Sequence, residues 1–156
     1  MDLFRDKGAN FDNDRRYRFA LWRIWEYGKP MAMVIGLNPS TANEEKDDPT
    51  IRRLSSLLFN QGFGGMYMMN LFTYITAYPA ELKKCSDANR MSIYWLGVVS
   101  KKSSSVIFAW GSFKEAKEQA SGVIKLFPDA LCFGKNNDGS PKHPLYLKKD
   151  TQLINF

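Results

Sequence analysis

Three short apolar runs, each halted by residues out of keeping with a strand interior, constrain this chain more than any other feature. Met31 to Leu37 stops at Asn38-Pro39, Met66 to Leu71 carries Asn70 near its end, and Ser105 to Trp110 stops at Gly111. Nearly continuous apolar runs of this length suit central parallel strands covered on both faces. Helical spacing fills the intervals. Asp48-Pro49-Thr50 opens a helix, with Asp48 as N-cap and Pro49 at the first helical position. Ile51, Leu54, Leu57 and Leu58 then recur at helical spacing to near Gln61, and Gly62 ends the pattern. Asp87 to Lys102 carries Met91, Tyr94, Trp95 and Val98 at the same spacing, and a third helix runs from Gly111-Ser112 to about Leu126. Ala130 to Phe133 is a fourth strand. This alternation predicts an α/β three-layer sandwich around a central, mainly parallel, four-stranded sheet.

Arg16 to Trp25 alternates charged and apolar residues, which predicts a further, half-buried strand at the N-terminal edge, with Arg16, Arg18 and Arg23 partly in water. Residues 1–14 are polar and rich in Asp, Asn and Gly, and predict a loose arm. The 156 residues contain no repeat or linker and suit one domain over 1–156. No apolar run approaches the roughly 18–20 residues of a membrane span, so no membrane partner is expected. Met1 to Asp6 lacks the apolar stretch of a secretory signal, and a cytoplasmic location is expected. Cys85 and Cys132 have no metal-type spacing and His143 is the single histidine, so the expectation is two free thiols, no metal and no cofactor. The net charge of +6 favours a polyanionic partner such as nucleic acid, although mild basicity also occurs in chains with no such partner.

Ligands of open α/β sheets bind at the carboxyl ends of the strands. Asn38, Asn70 and the His143-Pro144 turn are therefore expected around one pocket. Pro39 ends its strand, and the turn it forces exposes backbone amides; Ser40 and Thr41 there either line the site or cap local structure. Asn70 offers a donor and an acceptor in one plane, suited to a nucleobase edge or to the backbone of the next loop. His143 as a neutral imidazole can donate to a developing oxyanion, or serve a structural or exposed role. Asp48 either caps its helix only or also touches ligand. Phe72 and Tyr146 are among the aromatics able to stack on a base. Arg52, Arg53 and Lys142 are candidates for the phosphate backbone by neighbourhood.

In their order, these motifs resemble the uracil-DNA glycosylase superfamily. Gly36-Leu37-Asn38-Pro39 is similar to its Gly-x-Asn-Pro turn, Met69-Asn70-Leu71 to its base-reading Asn, Phe108-Ala109-Trp110-Gly111 to its Trp-Gly strand and His143-Pro144-Leu145-Tyr146 to its closing loop. The similarity runs from Met31 to Leu147. A bacterial and phage family of that fold shares Asn-Pro-Ser-Thr-Ala, Asp-Pro-Thr, Trp-Gly and Gly-x-Pro-x-His-Pro-Leu-Tyr, all present here. Asn38 stands where the most active branch has Asp, and Leu145-Tyr146 where Ser-Pro is usual. The resemblance implies recognition of a nucleobase in DNA or a nucleotide, with hydrolysis of the N-glycosidic bond. Asn38 would then place water, His143 would donate to the leaving base, and Asn70 would read its edge. Pro39, Ser40, Thr41, Asp48, Phe72, Trp110, Gly111, Pro144 and Tyr146 would complete the substrate site. The alternatives are a non-catalytic binder of nucleic acid or modified nucleotide, and an accessory protein acting through protein contacts.

Overall fold

Along the chain the elements are β1 (Asp6–Phe11), β2 (Arg18–Ile24), β3 (Met31–Gly36), α1 (Pro49–Asn60), β4 (Gly65–Asn70), α2 (Ser92–Ser100), β5 (Ser105–Phe108), α3 (Lys117–Leu126), β6 (Leu131–Cys132) and β7 (Ile154–Asn155). The structure, a computed structural model, describes residues 4–156. Short 3-10 turns occupy Pro79–Lys83, Lys114–Ala116 and Pro144–Tyr146. One mixed sheet of seven strands has the order β1-β2-β4-β3-β5-β6-β7. β4, β3, β5 and β6 run parallel, while β1, β2 and β7 join antiparallel. The class is α/β, but the sheet is larger than the four strands expected from the apolar runs.

The difference lies in strands held by backbone pairing rather than by burial. Asp6–Phe11, expected within a loose arm, is β1; the first residues of that arm lie outside the described residues. It carries no apolar alternation. Gly8 lets it lie close over β2, since a Cβ there would come within 2.2 Å of Trp22 Cζ2. β2 is consequently not an edge strand. β7 is exposed along its length and likewise gives no burial signal.

The parallel core follows its apolar pattern. Met33 and Ile35 of β3 join a cluster with Leu96, Val99, Ala120 and Val123 of α2 and α3, and Ala32 and Val34 join one with Ile51, Leu54, Leu57 and Leu58 of α1. Helices thus cover both faces of the sheet. Asp48 caps α1 by accepting the Ile51 N–H at 2.8 Å, and Gly62, at φ +86°, follows its end. α2 begins later than expected and its phase differs. Ser92, Leu96 and Val99 face inward, while Met91 and Tyr94 are exposed. The helix is apolar almost all round, so periodicity cannot choose the inner face. The Ser92 hydroxyl chooses it by donating to the Asn70 carbonyl at 3.0 Å.

β2 brings the largest correction. Arg18 is 3% exposed and Arg23 is 0% exposed, whereas both were expected partly in water. Asn10 pairs with Ala20 and Phe11 with Arg18, so Phe19 is the extra residue of a β-bulge. Phe19 stacks on Trp95 of α2, and Ala20 packs on the same side. Leu21 packs towards α1, and Arg18 reaches Ala42 of that same cluster. The bulge breaks the period of two and turns Arg18 inward, onto the face that β2 shares with α1.

Candidate functional site

A cavity of about 290 Å³ lies where the loops leaving β3 and β5 diverge to opposite faces of the sheet. Such a divergence at the carboxyl ends of parallel strands is the usual ligand position of an open α/β fold. Gly36, Leu37, Asn38, Pro39 and Ser40 line it from β3 and its loop, Asn70 from the end of β4, Ala109 and Phe113 from beyond β5, Asp48, Thr50 and Ile51 from the start of α1, and His143 and Leu145 from the C-terminal loop. Arg18, Met68, Thr76, Ala77 and Pro79 complete the wall. Arg18, Gly36, Met68, Asn70 and Ala109 form its buried end, and exposed Ala77 and Leu145 stand at its mouth.

Gly36 is required by closeness. A Cβ there would fall 2.6 Å from Met68 Cε and 3.1 Å from Asn70 Nδ2, displacing the amide. Asn38 Nδ2 donates to the carbonyls of Thr76 at 2.7 Å and Pro39 at 3.0 Å, tying the turn to the loop after β4. Its Oδ1 is the part left for a ligand or water. Asn70 is 5% exposed, and its Oδ1 accepts from Arg18 Nη2 at 3.3 Å. That bond orients the amide with Nδ2 as the group for a ligand. Asn70 therefore presents a donor here, not the paired donor and acceptor expected from its residue type.

His143 is half-buried, and its Nδ1 accepts the Leu145 N–H at 3.2 Å. The proton of the neutral ring then sits on Nε2. Burial lowers the His143 pKa, while the Asp48 carboxylate pulls it the other way. Gly111 makes room for this loop: it sits at φ +79°, and a Cβ would lie 3.2 Å from His143 Cβ. Upstream, the Asp138 carboxylate accepts from the Ser112 and Ser140 hydroxyls and the Ser140 N–H, which hold its pKa down to about 2 and pin the turn before His143.

Asn38, Pro39, Ser40, Asp48, Asn70 and His143 thus meet in one cavity. The other candidates do not line it. Thr41 is exposed outside it. Phe72 faces a separate groove with Leu82 and Cys85. Trp110 is 2% exposed and packs on Phe108 and Phe156 in the core. Gly111 acts through the His143 loop, and Pro144 of that loop is buried. Tyr146 is 86% exposed, with its ring edge-on to His143 at 5.9 Å between centroids. Arg52 lines a different groove with Trp25 and Phe59, Arg53 is half-buried on α1, and Lys142 is exposed beside His143.

Sequence reasoning missed Arg18, Thr76 and Phe113, and held Leu145 only as part of the closing motif. Only Arg18 carried a signal, a charge in a strand, and the bulge hid its direction. Its Nη1 donates to the Ala42 carbonyl at 3.1 Å and its Nη2 to Asn70, but Nε has no partner. No carboxylate among the described residues lies within ion-pair distance of it. Burial pushes its pKa down to about 10, against the pull of Asp48, so it stays charged at neutral pH. The cavity therefore combines one guanidinium, an amide donor and a neutral imidazole with one carboxylate, Asp48.

Among the described residues no group of three or more His, Cys, Asp or Glu side chains could hold a metal ion. No helix among them is long and apolar enough to cross a membrane. No curated protein and no solved structure gives a significant match to the chain. A family model described as "Protein of unknown function (DUF1643)" matches residues 18–145, which include β2, the Asn-Pro turn, Asn70 and His143. The chain belongs to the DUF1643 family.

Proposed function

We infer that this chain recognises a nucleobase, in DNA or in a nucleotide, and hydrolyses its N-glycosidic bond. The observation that carries this reading is the meeting of Asn38, Asp48, Asn70 and His143 in one cavity of about 290 Å³. The motif order that resembles uracil-DNA glycosylases, and the net charge of +6, support it.

The chemistry needs little covalent help. The bond from C1′ to the base nitrogen breaks, its electron pair leaves with the base, and the sugar becomes oxocarbenium-like. Water adds to C1′, and its proton passes to the departing base or to a nearby acceptor. His143 donates Nε2–H to a base oxygen as negative charge grows there. Asn70 Nδ2 donates to another acceptor on the base. Asp48 is the carboxylate available to stabilise the cationic sugar or take a proton from water, and Asn38 Oδ1 orients that water. A duplex substrate must first extrude its base.

Incubation with a panel of modified-base oligonucleotides and nucleotides, with mass analysis for free base, tests the reaction. His143→Ala should slow release by about 10²–10³-fold, the scale of one lost oxyanion donor, with far less effect on substrate binding. Asn70→Ala should weaken discrimination as well as turnover. One feature favours a second reading, a binder without turnover. Asn38 is an amide, and its donor is already committed to the Thr76 and Pro39 carbonyls. Tight binding of one panel member with no base released by the parent protein would select that reading.

A further inference from the structure

We propose that the buried end of the cavity binds an oxyanion carried by the ligand, with Arg18 as its counter-ion. The inference rests on the nucleobase reading for the ring, and on Arg18 alone for the charge. A guanidinium has five N–H donors, and Arg18 uses two, on Ala42 and Asn70. It is 3% exposed, lines the cavity and lacks an ion-pair partner among the described residues. A buried charge without a counter-charge is costly, and folded chains otherwise pair such groups.

The other buried arginine among the described residues needs no such ligand. Arg23, on the same strand, meets the Asp47 carboxylate at 2.8 Å. Arg18 could have been paired in the same way by Asp48, whose carboxylate lies in the same cavity. Instead Asp48 spends an oxygen on the α1 cap and stays beyond ion-pair distance. Beside Arg18, Asn70 turns its Nδ2 donor to the cavity because its oxygen is held. The buried end is therefore built of donors. It suits an acceptor-only group, a carboxylate on the base or a phosphate of a nucleotide, and it opposes an exocyclic amine at that position.

The test is calorimetric titration and thermal unfolding of the full chain against matched neutral and charged probes. Uracil is compared with orotate, the same ring bearing a carboxylate; uridine is compared with uridine 5′-monophosphate; inorganic phosphate is taken alone. One charged probe should bind about 10–100-fold more tightly than its neutral match, the scale of charge-assisted hydrogen bonds. Preference for orotate identifies a base carboxylate as the source, and preference for the monophosphate identifies a phosphate. Arg18→Met should abolish the preference, Arg18→Lys should keep part of it, and Arg16→Met, at an exposed arginine outside the cavity, should keep it whole. If Arg18→Met fails to fold, partial loss of the preference in Arg18→Lys against full retention in Arg16→Met decides the matter. Equal binding of neutral and charged probes overturns the proposal and leaves the nucleobase reading standing. Binding of inorganic phosphate that depends on Arg18, with no gain from any ring, supports the oxyanion and removes the nucleobase. Failure of every charged probe to bind, or equal loss of preference in Arg16→Met, overturns the proposal.

Discussion

Arg18 and Arg23 belong to one strand, are both buried, and both lie beneath the segment that runs from the Asn-Pro turn to α1. Arg23 is closed: its Nε meets Asp47 at 2.8 Å, and its Nη2 donates to the carbonyls of Asn43 at 2.6 Å and Lys46 at 3.2 Å. Arg18 is open, with an unpartnered Nε and no carboxylate at ion-pair distance among the described residues. Arg23 clamps residues 43–47 to the sheet. Arg18 holds only Ala42 and Asn70, and faces the cavity. The contrast shows how one residue type, buried on one face of a sheet, becomes a structural clamp or a binding group. What decides is whether the neighbouring loop supplies a counter-charge.

The contrast breaks most visibly in stability. Arg23→Met should cost about 3–5 kcal/mol in urea unfolding, because Asp47 and the carbonyls of Gly8, Trp22, Asn43 and Lys46 lose their donor. A loss below about 1 kcal/mol would remove the clamp. Arg18→Met should cost less, about 1–3 kcal/mol, since the unsatisfied Asn70 and Ala42 oxygens are partly offset by removal of an uncompensated charge. Equal losses for the two variants would erase the distinction between them.

Asp48 sharpens the picture on the open side. Asp48→Ala should lose about 1 kcal/mol with the helix cap, whereas Asp48→Asn keeps a capping oxygen and should change stability by a few tenths. Asn lacks the charge that raises the His143 pKa, so His143 should titrate lower in that variant. With a single histidine in the chain, its NMR titration reports this directly. An unmoved titration would mean that Asp48 does not act on the imidazole.

The smallest expected effect is the parent protein's own pH dependence. Burial depresses the folded His143 pKa below its ordinary value, so the unfolded chain binds more protons in the window between the two. The stability this contributes is present above the unfolded pKa, near 6.5, and declines as pH falls towards the folded value. Denaturation midpoints measured across that window should fall with pH in the parent and lose this component in His143→Asn. A midpoint that rises on acidification, or a slope that His143→Asn leaves unchanged, would contradict a neutral buried imidazole.

Much of the parallel core was legible because its signal is local. The β3 and β4 runs, the Asp48 cap and the Ile51, Leu54, Leu57, Leu58 stripe stand in the structure within a residue or so of their expected limits. Asn38, Asn70 and His143 were legible as cavity residues because strand ends predict where ligands bind. β1 and β7 were not, since backbone pairing leaves no trace in side-chain pattern. Trp110-Gly111 was legible as a motif but not in its role, which is core packing and room for the His143 loop.

The sequence by itself determined the stops of β3 and β4, the α1 cap and the Gly62 that ends the helix, because each depends on a residue and its near neighbours. Tertiary structure alone decided the direction of Arg18, the inner face of α2 and the orientation of the Asn70 amide. The bulge at Phe19 exists only in pairing with β1. The Ser92 hydroxyl finds its partner only once Asn70 is beside it. The amide turns only because Arg18 holds its oxygen. Each is a contact between segments far apart in the chain, and a hydrogen bond has no direction until both partners are in place.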